Sequence, residues 1–146
     1  MSMRGDGDVT AKPAPAPDTF SEPYWRGAAD GRLVLPRCGQ GHLSYPPGPA
    51  CPRCGSRALV PTEVPGAGTV YSFTVVRQSA DPAFADDVPY VVALIELDAQ
   101  PGLRLLTNIV ESDLERITIG AAVEAVYEPR GDQVVPQFRI VEGRGE

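Results

Sequence analysis

Five short runs of mostly apolar residues, separated by turn residues, follow one another along the C-terminal part of the chain. The first run alternates between apolar and polar positions, and the second is almost continuously apolar. The runs are rich in β-branched and aromatic residues, a composition that favours strands over helices. They occupy residues 68–76, 90–97, 103–110, 122–127 and 134–140. Turn sequences at 100–102 and 130–132 join neighbouring runs into hairpins. Five short strands with such turns predict a small β-barrel, of which the OB-fold is the five-stranded case.

The first 31 residues follow a different pattern. Residues 1–17 are polar, and alanine alternates there with three prolines, so we expect a disordered tail. Residues 18–31 are expected to contain a short helix. Asp18 or Thr19 can cap its start, and Glu22 is placed to form a capping box with Thr19. Alternatively, the start shifts to Ser21, because Pro23 fits only in a first turn.

All three cysteines and the only histidine of the chain lie within one short segment. They form two chelating pairs, Cys38-x3-His42 and Cys51-x2-Cys54. Structural zinc takes four such ligands in a tetrahedron, and a closed set of four leaves no open position for catalysis. A redox role for the CxxC pair is the alternative, but no βαβ pattern surrounds it. We therefore predict one structural Zn²⁺, which substitutes for a hydrophobic core in this segment.

The charge distribution separates the cysteine segment from the rest of the chain. The net charge is −6, yet residues 31–60 carry four arginines and no acid, which gives +4. Residues 61–146 carry fourteen acids and six bases, which gives −8. The alternative function for an OB-fold, binding of single-stranded nucleic acid, needs a basic groove. The acidic barrel disfavours that alternative.

Neither a membrane span nor a secretion signal is expected. The chain has no run of about 18 apolar residues, and its N-terminus lacks the apolar core of a signal peptide. Cysteines without such a signal indicate metal or redox chemistry rather than disulfides. We therefore expect a cytoplasmic protein.

Autonomous catalysis is disfavoured by a shortage of suitable side chains. With the cysteines and the histidine assigned to the metal, no thiol or imidazole remains for nucleophilic or general-base chemistry. Asp86 and Asp87 lie in a proline-flanked loop that is typical of a solvated turn. Tyr71, Tyr90 and Tyr127 fall in predicted strands, where tyrosines usually pack. No catalytic residues are predicted.

Four aromatic side chains are candidates for a partner surface. Phe20, Tyr24 and Trp25 form one aromatic face of the predicted helix, and Phe84 lies in the long loop 79–89. Exposed aromatic side chains on a short helix are typical anchors of an interface. The same rings could instead pack on the chain's own domain, and the sequence leaves both interpretations open.

The motifs follow in a specific order: a short aromatic helix, then Leu-x-Leu-x-Arg-Cys, Tyr-Pro-Pro, Cys-Pro-x-Cys-Gly-Ser and Gly-x-Gly-Thr-Val-Tyr-Ser-Phe-Thr. This order resembles the zinc-ribbon and OB-fold family known as domain of unknown function 35, also called acyl-CoA-associated. That family usually has a second CxxC at the first knuckle. Here Gly41 stands at the place of its second cysteine, and His42 follows. Either His42 replaces that thiolate or the ribbon is metal-free.

The resemblance implies a mainly β protein, with a rubredoxin-like zinc ribbon at 32–61 after the helix and an OB-fold barrel at 62–146. It implies a non-catalytic accessory subunit of a thiolase, a ketosynthase or a lipid-transfer-protein-type aldolase that acts on acyl-CoA, within a hetero-oligomer. Steroid side-chain or aromatic acid breakdown are among the pathways of such assemblies. Three ribbon arginines could meet the coenzyme A phosphates at the shared interface, although a solvated basic face is the simpler interpretation. They are Arg37, Arg53 and Arg57.

Overall fold

The computed structural model describes residues 12–141 and shows a mainly β chain with one α-helix. This confirms the predicted fold class. A two-stranded sheet near the N-terminus is followed by a closed five-stranded barrel. The elements are α1 (Glu22–Ala29), β1 (Leu33–Arg37), β2 (Val60–Val64), β3 (Ala67–Val76), β4 (Tyr90–Leu97), β5 (Arg104–Ile109), β6 (Ala122–Arg130) and β7 (Gln133–Ile140), with 3-10 turns at Pro82–Asp87 and Leu114–Arg116.

The barrel has the strand order β3-β4-β5-β7-β6 and closes where β3 pairs with β6. All pairs are antiparallel except β5 with β7, which meet in parallel at Ile109 and Phe138. Every second residue of β4 is buried, as the geometry of a strand requires, although its sequence is almost continuously apolar. Gly68 lies where β3 crosses close to β4, because a Cβ atom there would stand 2.4 Å from the carbonyl oxygen of Glu96.

The ribbon is an antiparallel hairpin whose two strands lie far apart in the sequence. β1 pairs with β2 from Leu33 opposite Val64 to Arg37 opposite Val60. The whole cysteine segment therefore forms the loop of this hairpin. The sequence-based boundary between ribbon and barrel, at 61 and 62, falls inside β2.

Helix α1 joins the ribbon to the barrel, because it packs against both β1 and β7. A hydrogen-bonded turn directly precedes its start: the backbone N–H of Ser21 donates to Asp18 Oδ1 at 2.7 Å, and that of Asp18 donates to Ser21 Oγ at 3.0 Å. Tyr24 belongs to the same buried cluster as Leu35 of the ribbon and Phe138 of the barrel. The ribbon and the barrel thus share one hydrophobic core.

Residues 12–17 form no helix or strand. Lys12 nevertheless contacts the barrel, because its Nζ lies 2.6 Å from a carboxylate oxygen of Asp87. The rest of the predicted tail, residues 1–11, lies outside the described residues. Across the described part of the chain, no helix has the length and apolar character needed to cross a membrane.

Candidate metal centre and partner surface

Cys38, His42, Cys51 and Cys54 converge at the tip of the ribbon. Their ligand atoms all lie within 4.8 Å of one another. His42 Nδ1 is 3.5 Å from the sulfur of Cys38 and 3.8 Å from that of Cys51. The sulfurs of Cys54 and Cys38 are 3.8 Å apart. Cys38 and Cys51 are buried, whereas Cys54 faces solvent.

Tight backbone turns aim the ligands of each knuckle at one point. The Cys38 N–H donates to the carbonyl of His42 at 2.9 Å, and the Gly55 N–H donates to the carbonyl of Cys51 at 2.8 Å. Gly41 and Gly55 have φ values of 89° and 76°, a region that glycine enters without steric cost. The backbone N–H groups of His42 and Arg53 each point at a cysteine sulfur, at 3.4 Å. These donors stabilise thiolates.

The interatomic distances fit a tetrahedral zinc ion. Zinc binds sulfur at about 2.3 Å and imidazole nitrogen at about 2.0 Å. Tetrahedral angles then separate two sulfurs by about 3.8 Å and a sulfur from a nitrogen by about 3.5 Å. The observed separations of 3.8 Å for the sulfurs of Cys38 and Cys54, and of 3.5 Å for His42 Nδ1 and the Cys38 sulfur, match these values. His42 Nδ1 and the Cys51 sulfur are slightly further apart, at 3.8 Å, and all four ligand atoms lie within 4.8 Å of one another. Three thiols and one imidazole also suit zinc chemically.

The pKa of the Cys38 thiol shows how the site favours the ligating form. Burial raises this pKa, but hydrogen bonds from the backbone N–H groups of His42 and Gln40 and from neighbouring thiols outweigh it. The net result is a pKa of about 6. Because a metal ligand must be a thiolate, this arrangement lowers the cost of deprotonation before zinc binds.

Gln100 links the barrel to the metal loop, which we define as residues 38–54. No sequence motif marked Gln100 as a functional residue. Its side-chain amide accepts from the backbone N–H of Leu43 at 2.8 Å and donates to the carbonyl of Leu43 at 2.9 Å. Leu43 directly follows the ligand His42. The turn that carries Gln100 is itself held by Glu96, whose carboxylate accepts from Gly102 N–H and from Arg104.

The four aromatic candidates do not form one surface. Tyr24 is buried, and its ring packs edge-on against Trp25 with a centroid distance of 4.8 Å. Phe84 is half-buried beside Tyr90, at 5.9 Å. Phe20 is 52% exposed. Phe20 borders a cavity of about 220 Å³ between α1 and the ribbon, which prolines and Arg57 also line.

The three arginine candidates surround the metal loop, and all are exposed. Arg37 ends β1 and lies beside Gly41, while Arg53 belongs to the second knuckle. Arg57 lies at the cavity beside α1. None of the three forms an ion pair with another residue of the described range 12–141. Their positive charges are therefore directed at solvent.

Comparison with known proteins identifies the family. The family model for the rubredoxin-like zinc ribbon domain of ChsH2 matches residues 25–60, and the model for its C-terminal OB-fold domain matches residues 61–128. A DUF35 domain-containing scaffold protein of Pyrococcus furiosus is 36% identical over 104 residues, which cover 70% of this chain and 74% of the relative. The chain belongs to the DUF35 family. Its ribbon is thus a structural zinc site, as the donor set and spacing predicted.

Two further similarities concern a longer relative and a solved structure. A probable enoyl-CoA hydratase alpha subunit of Thermomonospora curvata is 39% identical over 130 residues, which cover 88% of this chain but 40% of the relative. This chain therefore spans less than half the length of that relative. A solved structure described as the Ltp2-ChsH2(DUF35) aldolase contains a chain that is 38% identical, with a TM-score of 0.76. That match covers 87% of this chain and 98% of the solved one.

Proposed function

We propose that this chain is a non-catalytic accessory subunit of a thiolase-like or ketosynthase-like protein that acts on acyl-CoA. The observation that carries the proposal is the match to nearly the whole DUF35 chain of an aldolase whose description names two components. The hydratase name of a second relative supports acyl-CoA as the substrate class. A cytoplasmic location is part of this proposal, because all three cysteines converge on the metal site and none forms a disulfide.

The chemistry of the described residues supports an accessory role. The sole histidine and every cysteine converge on the zinc site, whose four ligands leave no position for a substrate. Burial raises the pKa of Tyr24, which holds it protonated. Asp87 is engaged with Lys12. The nucleophile and the general base are therefore assigned to the partner.

Phe20 and the neighbouring cavity are proposed as the docking surface. A 52%-exposed phenylalanine beside an apolar cleft is an anchor of the kind that dominates protein interfaces. The cleft lies between α1 and the ribbon, so a partner there would touch both elements. Such a surface gives the structural zinc a purpose, because the metal shapes one wall of the docking site.

Co-expression with a thiolase-like protein tests this surface. We expect one co-purifying complex, and we expect Phe20→Ser to weaken it at least about tenfold, because loss of a buried aromatic anchor costs more than about 1.4 kcal/mol. Ile119→Ser is the matched control, since Ile119 is 70% exposed on a turn remote from the cavity lining. Separate elution of the two proteins would contradict the proposed partnership. If both variants bind the thiolase-like protein equally well, the docking surface lies elsewhere on the chain.

Arg37, Arg53 and Arg57 are proposed to bind the phosphates of the coenzyme A moiety at the shared interface. Unpaired guanidinium groups are suited to phosphate recognition. If the guanidinium of one of these arginines binds the 3′-phosphate, replacing that arginine by alanine raises the KM for a coenzyme A thioester. The KM for the corresponding 3′-dephospho-coenzyme A thioester should stay unchanged. Steady-state kinetics of the complex with both substrates measures this. Equal KM changes for both substrates would rule out a contact with the 3′-phosphate.

A further inference from the structure

The three cysteines of the metal centre differ in their access to solvent. Cys38 and Cys51 are only 5% and 3% exposed, whereas Cys54 is an exposed residue. A metal ion keeps its cysteine ligands as thiolates, which are the form that reacts with peroxides. Among thiolates, accessible ones are oxidised first. Cys54 is therefore the ligand at which an oxidant reaches the metal centre.

The surroundings of Cys54 are electropositive. Arg53 directly precedes it, and Arg57 follows three residues later. Both arginines are exposed. No acidic residue occurs between positions 31 and 60 of the chain. Reactive cysteines are found in such accessible, positively charged surroundings, whereas buried cysteines without them are inert.

A second thiolate lies close enough to complete a disulfide with Cys54. The sulfurs of Cys54 and Cys38 are 3.8 Å apart, although the two residues are 16 positions apart in the sequence. Because a disulfide bond is about 2.0 Å long, these sulfurs need to approach each other by about 1.8 Å. The bond would join the two knuckles of the ribbon and remove two of the four metal ligands.

We propose that Cys54 is a peroxide-reactive site through which oxidation releases the structural zinc. The Cys54 thiolate attacks one oxygen of hydrogen peroxide, so the O–O bond breaks, hydroxide leaves and the sulfur becomes a sulfenic acid. The Cys38 thiolate then attacks this sulfur, which forms the disulfide and expels a second hydroxide. The two sulfurs together lose two electrons, and the peroxide gains them. Only Cys51 and His42 remain as ligands, too few for a structural zinc site, so the metal leaves.

The effect of this oxidation is confined to the metal loop. The buried cluster that joins α1, the ribbon strands and the barrel contains Tyr24, Leu35 and Phe138 but none of the zinc ligands. We therefore expect the loop to lose its shape while the barrel stays folded. Thiols reverse the change in the presence of zinc, because a disulfide is reducible. The inference goes beyond the proposed function, because the reaction takes place on the chain alone.

Treatment of the zinc-loaded full chain with hydrogen peroxide tests the proposal without any variant. A chromogenic chelator measures the released zinc, and dimedone traps sulfenic acid for mass spectrometry. Trypsin places Cys54 in the peptide 54–57 and the other two cysteines in the peptide 38–53. The dimedone adduct is expected on peptide 54–57. Without dimedone, we expect a disulfide between the two peptides, which fragment spectra assign to Cys38, and zinc release that a thiol reductant reverses.

Cys54→His and Cys51→His are matched variants, because each keeps four potential zinc ligands and two thiols. Cys54→His should release zinc at least about tenfold more slowly than the unmodified chain, since only buried thiols remain. Cys51→His should stay sensitive to peroxide, because it retains Cys54 and Cys38. If a variant does not hold zinc, the mapping on the unmodified chain decides.

Three results would overturn the proposal. They are a dimedone adduct that appears first on peptide 38–53, a disulfide between any pair other than Cys38 and Cys54, and equal rates of zinc release from the two variants. Failure of partner binding would leave all of these measurements unaffected.

Discussion

At the scale of single residues, His42 is the decisive feature of the metal centre. Its Nδ1 atom lies 3.5 Å from the sulfur of Cys38 and 3.8 Å from that of Cys51, separations that suit ligands of one metal ion. It follows Gly41, which stands where the resemblance places a second cysteine. The sequence could predict this ligand, because a solitary histidine beside two cysteine motifs leaves few other assignments. Spacing could not predict that Nδ1 rather than Nε2 faces the other ligands.

Removal of this imidazole should weaken zinc binding. We expect His42→Ala to lower zinc affinity by at least about 100-fold, since loss even of a group that is hydrogen-bonded to a ligand costs about 10–100-fold. Competition with a chromogenic chelator measures the affinity, and Gln40→Ala, an exposed change in the same loop, is the control. An unchanged affinity would show that three cysteines hold the metal and that His42 is only a neighbour.

The contact between the Gln100 side chain and the metal loop could not be predicted from the sequence. The turn at 100–102 was predictable from its proline and glycine, but the partner of the glutamine side chain lies 57 residues away in the sequence. No local signal marks such a contact. It couples the loop that holds His42 to the barrel, because Leu43 is the next residue.

At the scale of elements, the hydrogen bonds between Gln100 and Leu43 are expected to stabilise the ribbon against the barrel. Gln100→Ala removes two hydrogen bonds to the backbone of Leu43, so the free energy of unfolding should fall by about 1–2 kcal/mol. Urea denaturation measures this, with the exposed Gln78→Ala as control. Faster hydrogen exchange at the Leu43 amide should accompany the loss. Identical stability and exchange in both variants would mean that the shared core alone fixes the ribbon.

The barrel strands were predictable because each is a short run rich in β-branched or aromatic residues between turn residues, and their observed bounds lie within a few residues of the predicted ones. The hairpin β1–β2 was not predictable from the sequence. Its second strand, Val60–Val64, is mostly exposed, includes Pro61 and pairs with a strand more than twenty residues earlier. Neither alternation nor a turn signal could reveal it. The predicted helix is present and begins directly after Ser21, the alternative start that Pro23 indicated, and no side-chain hydrogen bond caps it.

At the scale of the whole molecule, the ribbon and the barrel form one body through a shared core around Tyr24. The sequence indicated that the cysteine segment could not build a core of its own. It did not reveal that this tyrosine would be buried rather than offered to a partner, because both outcomes suit the same aromatic face. Only Phe20 of that face remains widely exposed, which narrows the proposed docking surface to one side of α1.

The central claim is that this chain assists the chemistry of another protein and performs none itself. The most direct measurement titrates the zinc-loaded chain into a fixed amount of its thiolase-like partner while acyl-CoA turnover is followed. The account predicts no turnover by the chain alone, and a rate that rises with added chain and saturates at a fixed stoichiometry. Turnover by the chain without partner, or a partner rate that stays constant throughout the titration, would contradict it.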